Sequence, residues 1–61
     1  MKFNVGDWVI DTNRRTVPTV RGIIHDSCPN LYVLEDDDCN YYIECEDCLR
    51  EYDKYWFDRS E

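Results

Sequence analysis

The stretch LEDDDCNYYIECEDC, residues 34 to 48, holds seven acidic side chains and three of the four cysteines in the chain. Thiolates and carboxylates so crowded suggest a metal, a redox pair or a charged contact surface. The four cysteines, Cys28, Cys39, Cys45 and Cys48, follow a C-x10-C-x5-C-x2-C pattern. A zinc ribbon shows two close pairs, and only one is present, so a four-thiolate centre is weakly supported. Cys45-Glu46-Asp47-Cys48 has the spacing of a redox dithiol. Such pairs gain thiolate character from cations or a helix N-terminus, whereas the two acids between these sulfurs would raise their pKa values. Asp36, Asp37 and Asp38 lack the alternating ligands and central glycine of a calcium loop. Paired-carboxylate hydrolysis needs a cleft, and nothing in the sequence predicts one.

Which of these groups can meet depends on the elements that carry them. β-Branched and aromatic residues recur in short runs between turn residues, the pattern of a chain made mostly of strands. FNVGDWVID predicts a first strand over about Trp8 to Asp11, after a Gly6-Asp7 turn. TNRRTVPT is a polar loop ending near Pro18, which suits a strand edge or entrance. TVRGIIHDS predicts a second strand with a bulge or bend at Gly22. LYVLE and NYYIE predict a hairpin closed by Asp36 to Cys39. Glu46, Asp47 and Cys48 suit a 3-10 turn before a last strand. The spacing of Leu49, Tyr52, Tyr55 and Trp56 fits a short C-terminal helix as well as that strand. The strand is preferred here, with a tail fraying from Asp58.

This hairpin separates the cysteines. A five-residue strand rises about 16 Å, so Cys39 in one turn and Cys28 in the turn before the third strand lie at opposite ends. Cys45 and Cys48 return to the end that holds Cys28. His25, Cys28, Cys45 and Cys48 would then give an acceptable zinc set, one histidine with three thiolates, as the alternative to the expectation of no cofactor. The alternative is that Cys28 and Cys45 are small buried apolar residues and His25 an exposed strand-end residue.

Size and charge bound the rest. The 61 residues make one domain, with a core over about residues 4 to 57. A core of this size supplies roughly 3 to 5 kcal/mol and has little volume to spare for a substrate pocket. The chain therefore reads as a non-enzyme. Of its net charge of -7, residues 1 to 34 contribute +1 and residues 35 to 61 contribute -8. The second half would repel a phosphate backbone and attract a basic protein surface, which argues against direct nucleic-acid binding. MKFNVGDWV has no apolar core of the signal-peptide kind, and no stretch approaches the ~18 apolar residues of a membrane span. A cytoplasmic protein with reduced thiols and no membrane partner is expected.

The order of these pieces resembles the SH3-like small β-barrels of the KOW and Tudor types. VGDWVID is similar to their first strand, TVRGIIHD to their second with its glycine, and LYVLEDDDCNYYIECEDCLRE to their hairpin, 3-10 turn and closing leucine. The resemblance covers about residues 4 to 52 and implies an all-β, five-stranded SH3-like barrel that acts as a binding module. The contact surface it implies is an aromatic-lined groove between loops, for which Trp8, Tyr32, Tyr41, Tyr42 and Trp56 are candidates. Strand alternation nevertheless places Trp8 and Val33 on faces that so small a barrel must bury. The chain departs from nucleic-acid-binding relatives in lacking a basic stripe, and it shows no aromatic tetrad for a methyl-lysine cage.

The expected function is a non-enzymatic interaction module with an acidic and aromatic surface, built from Glu35, Asp36, Asp37, Asp38, Tyr41, Glu44, Glu46 and Asp47. Its partner would be a basic protein, sharpened to one whose nucleic-acid-binding surface it occupies, as a phage-type inhibitor does. The alternative is a zinc-stabilised structural accessory subunit.

Overall fold

The computed structural model describes residues 3–25 and 28–52, which are all-β apart from one 3-10 turn. The strands are β1 (Val9–Asp11), β2 (Thr19–Ile24), β3 (Leu31–Glu35), β4 (Tyr41–Cys45) and β5 (Leu49–Glu51), with the 3-10 turn Glu46–Cys48 before β5. β2, β3 and β4 form one antiparallel sheet in that order, and β1 pairs with β5 in a second. A bridge between Trp8 and Thr19 joins the two sheets at a corner. Among the described residues no ladder closes them into a continuous barrel. No helix is long and apolar enough to cross a membrane among these residues. Trp56 and the tail from Asp58 lie outside them, as does most of the segment for which a short C-terminal helix is the alternative to a last strand. Leu49, where that helix would begin, opens β5.

Turn chemistry fixes both hairpin-like connections. Asp11 Oδ1 accepts the backbone N–H groups of Asn13 and Arg14, and Arg15 takes the left-handed conformation at φ 57°. Asp36 Oδ1 likewise accepts the N–H groups of Asp38 and Asn40, with Cys39 left-handed at φ 66°. In each case an aspartate opens the turn because its short side chain can satisfy amides two or more residues on. The predicted bulge is present, since the β2–β3 register shifts between Val20 and Gly22.

The core cluster comprises Phe3, Val9, Val20, Tyr32, Leu34 and Leu49, with Ile23 and Tyr42 packed against it. Phe3 meets Tyr32 edge to face at 5.5 Å. Alternation along β3 sends Tyr32 and Leu34 inward and leaves Leu31, Val33 and Glu35 on the outer face. The expected burial of Trp8 is corrected: it is 61% exposed, while Val9, Ile10 and Asp11 are all fully buried. β1 is thus covered on both sides, and alternation parity at Trp8 carries no information. Val33, expected in the core, is half-buried on the outer sheet face.

Candidate functional site

The acidic cluster of residues 35 to 47 divides into bonded and free members. Glu35 takes the Arg21 guanidinium at 2.6 Å. Asp36 holds its own turn. Glu46 accepts the hydroxyl of the buried Tyr32 at 2.7 Å, which ties the 3-10 turn to the core. Glu44 lies with Arg14 at 3.9 Å and shares a hydrogen bond with Asp11. Half-burial, with the bond and charge of Asp11 behind it, holds the Glu44 carboxyl above its usual range. These four carboxylates serve the fold. The side chains of Asp37, Asp38 and Asp47 are exposed and make no hydrogen bond or ion pair among the described residues, and Tyr41 is 62% exposed.

Asp11 is the residue that sequence reasoning overlooked. It is fully buried, and its Oδ2 accepts the Tyr42 hydroxyl at 3.1 Å. Arg14 lies over the Tyr42 ring, 3.8 Å from the centroid. Burial is the main reason that the Tyr42 phenol is pushed up to about 12. Asp11, Tyr42, Glu44 and Arg14 form a network that staples β1 to β4, and none of its buried polar side-chain atoms lacks a hydrogen-bond partner. The signal in the sequence was slight: an Asp two residues before Asn13 and three before Arg14, the usual start of a turn.

The thiols do not assemble. Among the described residues no group of three or more His, Cys, Asp and Glu is placed to hold a metal ion. His25, Cys28, Cys45 and Cys48 are therefore not drawn into one coordination shell. His25 is exposed at the end of β2, as expected, and Cys28 is exposed rather than buried. Cys45 and Cys48 do share one end of the hairpin, but the Cys48 thiol is pushed up, first by partial burial and then by Glu44, Cys45, Asp11 and Asp47. That is the reverse of what a reactive dithiol requires.

Carboxylates also have aromatic company elsewhere: the free Asp37, together with Glu51 and with Asp7, whose Oδ2 accepts the Asn4 N–H within its own turn. Trp8 meets Tyr52 edge to face, with centroids 5.7 Å apart. The turn that presents Trp8 is held by Asp7 N to Asn4 O and by a two-way exchange with β2, Gly6 N to Val20 O and Val20 N to Asp7 O. An open hollow of about 440 Å³ is lined by Trp8 with Phe3, Gly6, Asp7, Glu51 and Tyr52. A second hollow of about 410 Å³ is lined by Trp8 with Val17, Thr19, Asp37 and Tyr52. The two π systems thus line both hollows, with Asp7 and Glu51 beside them in the first and Asp37 in the second. Trp8 and Asp37 were candidates from the sequence; Tyr52, Asp7 and Glu51 were not, because the β1–β5 pairing that brings Val9 opposite Glu51 is long-range. Such a surface suits a cationic side chain, through cation–π attraction and carboxylate pairing together. No family model, curated protein or solved structure matches the chain.

Proposed function

We propose that the chain is a non-enzymatic interaction module of SH3-like type, which binds a basic segment of a partner protein on its acidic and aromatic face. The observation that carries this reading is the exposed Trp8–Tyr52 pair flanked by the carboxylates of Asp7, Glu51 and Asp37. Leaving Trp8 in water costs apolar burial that a marginal 61-residue fold can ill spare, so a ligand that covers it recovers that loss. The strand order, with two sheets meeting at Trp8 and Thr19, supports the SH3-like reading. Arg is the favoured anchor, since its planar guanidinium both stacks on a ring and forks onto a carboxylate. A partner surface that ordinarily receives nucleic-acid phosphates meets the same description, and the chain would inhibit it by competition.

The test is affinity capture from lysate at about 0.1 M and 1 M salt, where the Debye length falls from about 10 to 3 Å. Partners should be lost at high salt and lost with Trp8→Ala at low salt. Retention of the same partners by Trp8→Ala at undiminished yield would sink the reading.

A further inference from the structure

Among the described residues β4 is an edge strand, and its free side has a defined chemistry. The bonds Asp36 N to Asn40 O and Glu46 N to Asn30 O fix which residues of the hairpin face each other through hydrogen bonds. With Leu34 opposite Tyr42 and Tyr32 opposite Glu44, the even-numbered residues of β4 bond β3. The backbone N–H and C=O groups of Tyr41 and Ile43 and the N–H of Cys45 therefore point away from the sheet and bond no other strand among the described residues, whereas the Cys45 C=O opens the 3-10 turn as its N-cap.

The side chains of those same residues continue an apolar outer face. Ladder partners share a face, so Cys45 adjoins Leu31 and Ile24, and Ile43 adjoins Val33. Ile43 is 55% exposed. Natural edges are usually blunted by lysine, proline or a bulge. β4 contains none of these, and its register against β3 is unbroken. Its one charged side chain, Glu44, turns inward to Asp11 and Arg14.

The charges at the two ends select what can add. Asp38 lies in the turn that leads into β4 and Asp47 just beyond its end, both exposed. The turn end is the more negative, because Arg50 donates to the Asp47 carbonyl at the other. A second copy adding antiparallel would set acid against acid at both ends, whereas a segment with basic ends would find a carboxylate at each.

We infer that the β4 edge receives an extended partner segment as an added strand, apolar at alternate positions and carrying Lys or Arg at its ends. This rests on the basic-partner reading above and adds a binding mode to it. Main-chain bonds to Tyr41, Ile43 and Cys45 supply the register, Ile43 and Tyr41 select the apolar residues, and Asp38 and Asp47 select the ends.

The probe is a synthetic peptide of alternating valine and threonine with two lysines at each end, compared with the same peptide N-methylated on alternate amides. Methylation removes donors from one edge and leaves charge and side chains in place. The unmodified peptide should bind, protect the amides of Tyr41, Ile43 and Cys45 from exchange, and outcompete the methylated one by at least about tenfold, as expected for two or three lost hydrogen bonds. Ile43→Pro, which removes one of those outward N–H groups without touching the β3 ladder, should weaken binding in the same way. Equal binding of the two peptides, or protection elsewhere on the chain, overturns strand addition and leaves the basic-partner reading standing. Failure of both peptides where polylysine binds does the same. Failure of polylysine as well removes both readings together.

Discussion

The hydroxyl of Tyr42 donates to Oδ2 of Asp11 at 3.1 Å, joining residues 31 positions apart and, through them, the two sheets. Tyr42→Phe takes away one donor from a fully buried carboxylate, which should cost about 1 to 3 kcal/mol. Asp11→Ala does more harm, since it strands the Tyr42 hydroxyl and the turn amides of Asn13 and Arg14 at once. A loss of about 3 kcal/mol or more would consume most of the stability available to so small a domain. Urea denaturation of the two variants and their double should show strong non-additivity. Additive losses would mean that the bond does not couple the sheets.

The network also marks where sequence reasoning stops. The hairpin, the bulge at Gly22 and the 3-10 turn at Glu46 to Cys48 were legible, because each follows from alternation or turn chemistry within a few residues. Asp11 reads locally as a polar strand end; its burial is decided by Tyr42 and Glu44, far along the chain. Trp8 failed for a related reason, since β1 is buried on both faces and two-residue alternation cannot sort its side chains. The charge count located the acidic half correctly. It could not say that Glu35, Asp36, Glu44 and Glu46 are bonded within the fold, because each partner, Arg21 or Tyr32 for instance, comes from a different element or from the turn backbone.

The two glycines should respond in opposite directions. Gly6 has φ +96°, a conformation that side-chain-bearing residues rarely adopt, although a Cβ there would meet open space. Gly6→Ala should therefore cost about 1 kcal/mol or more through backbone strain alone, and it would disturb the bonds that present Trp8. At Gly22 an added Cβ would lie 3.5 Å from the Val33 side chain, an ordinary contact, and φ is not positive. Gly22→Ala should be neutral or stabilising by about 0.4 to 1 kcal/mol, because it restricts the unfolded chain. Thermal denaturation of both variants settles the contrast, and a bulge that truly required glycine would reverse the second result.

Glu44 should give the protein an unusual acid-side stability. Its folded pKa lies above the ordinary 4.5, chiefly through burial and then through Asp11, so the native state holds this proton more tightly than the unfolded chain. The resulting stabilisation is complete below about pH 4.5 and is lost as pH rises through the folded value. Glu44→Gln removes that titration. The stability of the variant relative to the parent should therefore rise from about pH 4.5 upward and then level off. Tyr42 repeats the sign at the other extreme: its phenol is raised from 10.0 to about 12, so stability should fall across that interval and Tyr42→Phe should not show the fall. Denaturation profiles against pH, parent beside variant, check both windows. A relative stability of Glu44→Gln that stayed flat across the carboxylate range would show that this proton is not held by the fold.

The thiols can be ranked by rate. Cys28 and Cys39 are exposed, whereas Cys48 is half-buried and its thiol is raised by that burial and by the nearby Glu44, Cys45, Asp11 and Asp47. Only the thiolate attacks an alkylating reagent, so at pH 8 Cys48 should be modified by iodoacetamide well after Cys28 and Cys39. Peptide mapping over time gives the order directly. Early modification of Cys48 would show a depressed thiol pKa and restore the dithiol reading that the surrounding carboxylates oppose. Treatment with a chelator addresses the remaining role for these residues. His25 and Cys28 are exposed and stand in no shared shell with Cys45 and Cys48, so the melting temperature should not move. A structural zinc is part of the folding free energy where it exists, and its removal would unfold the domain.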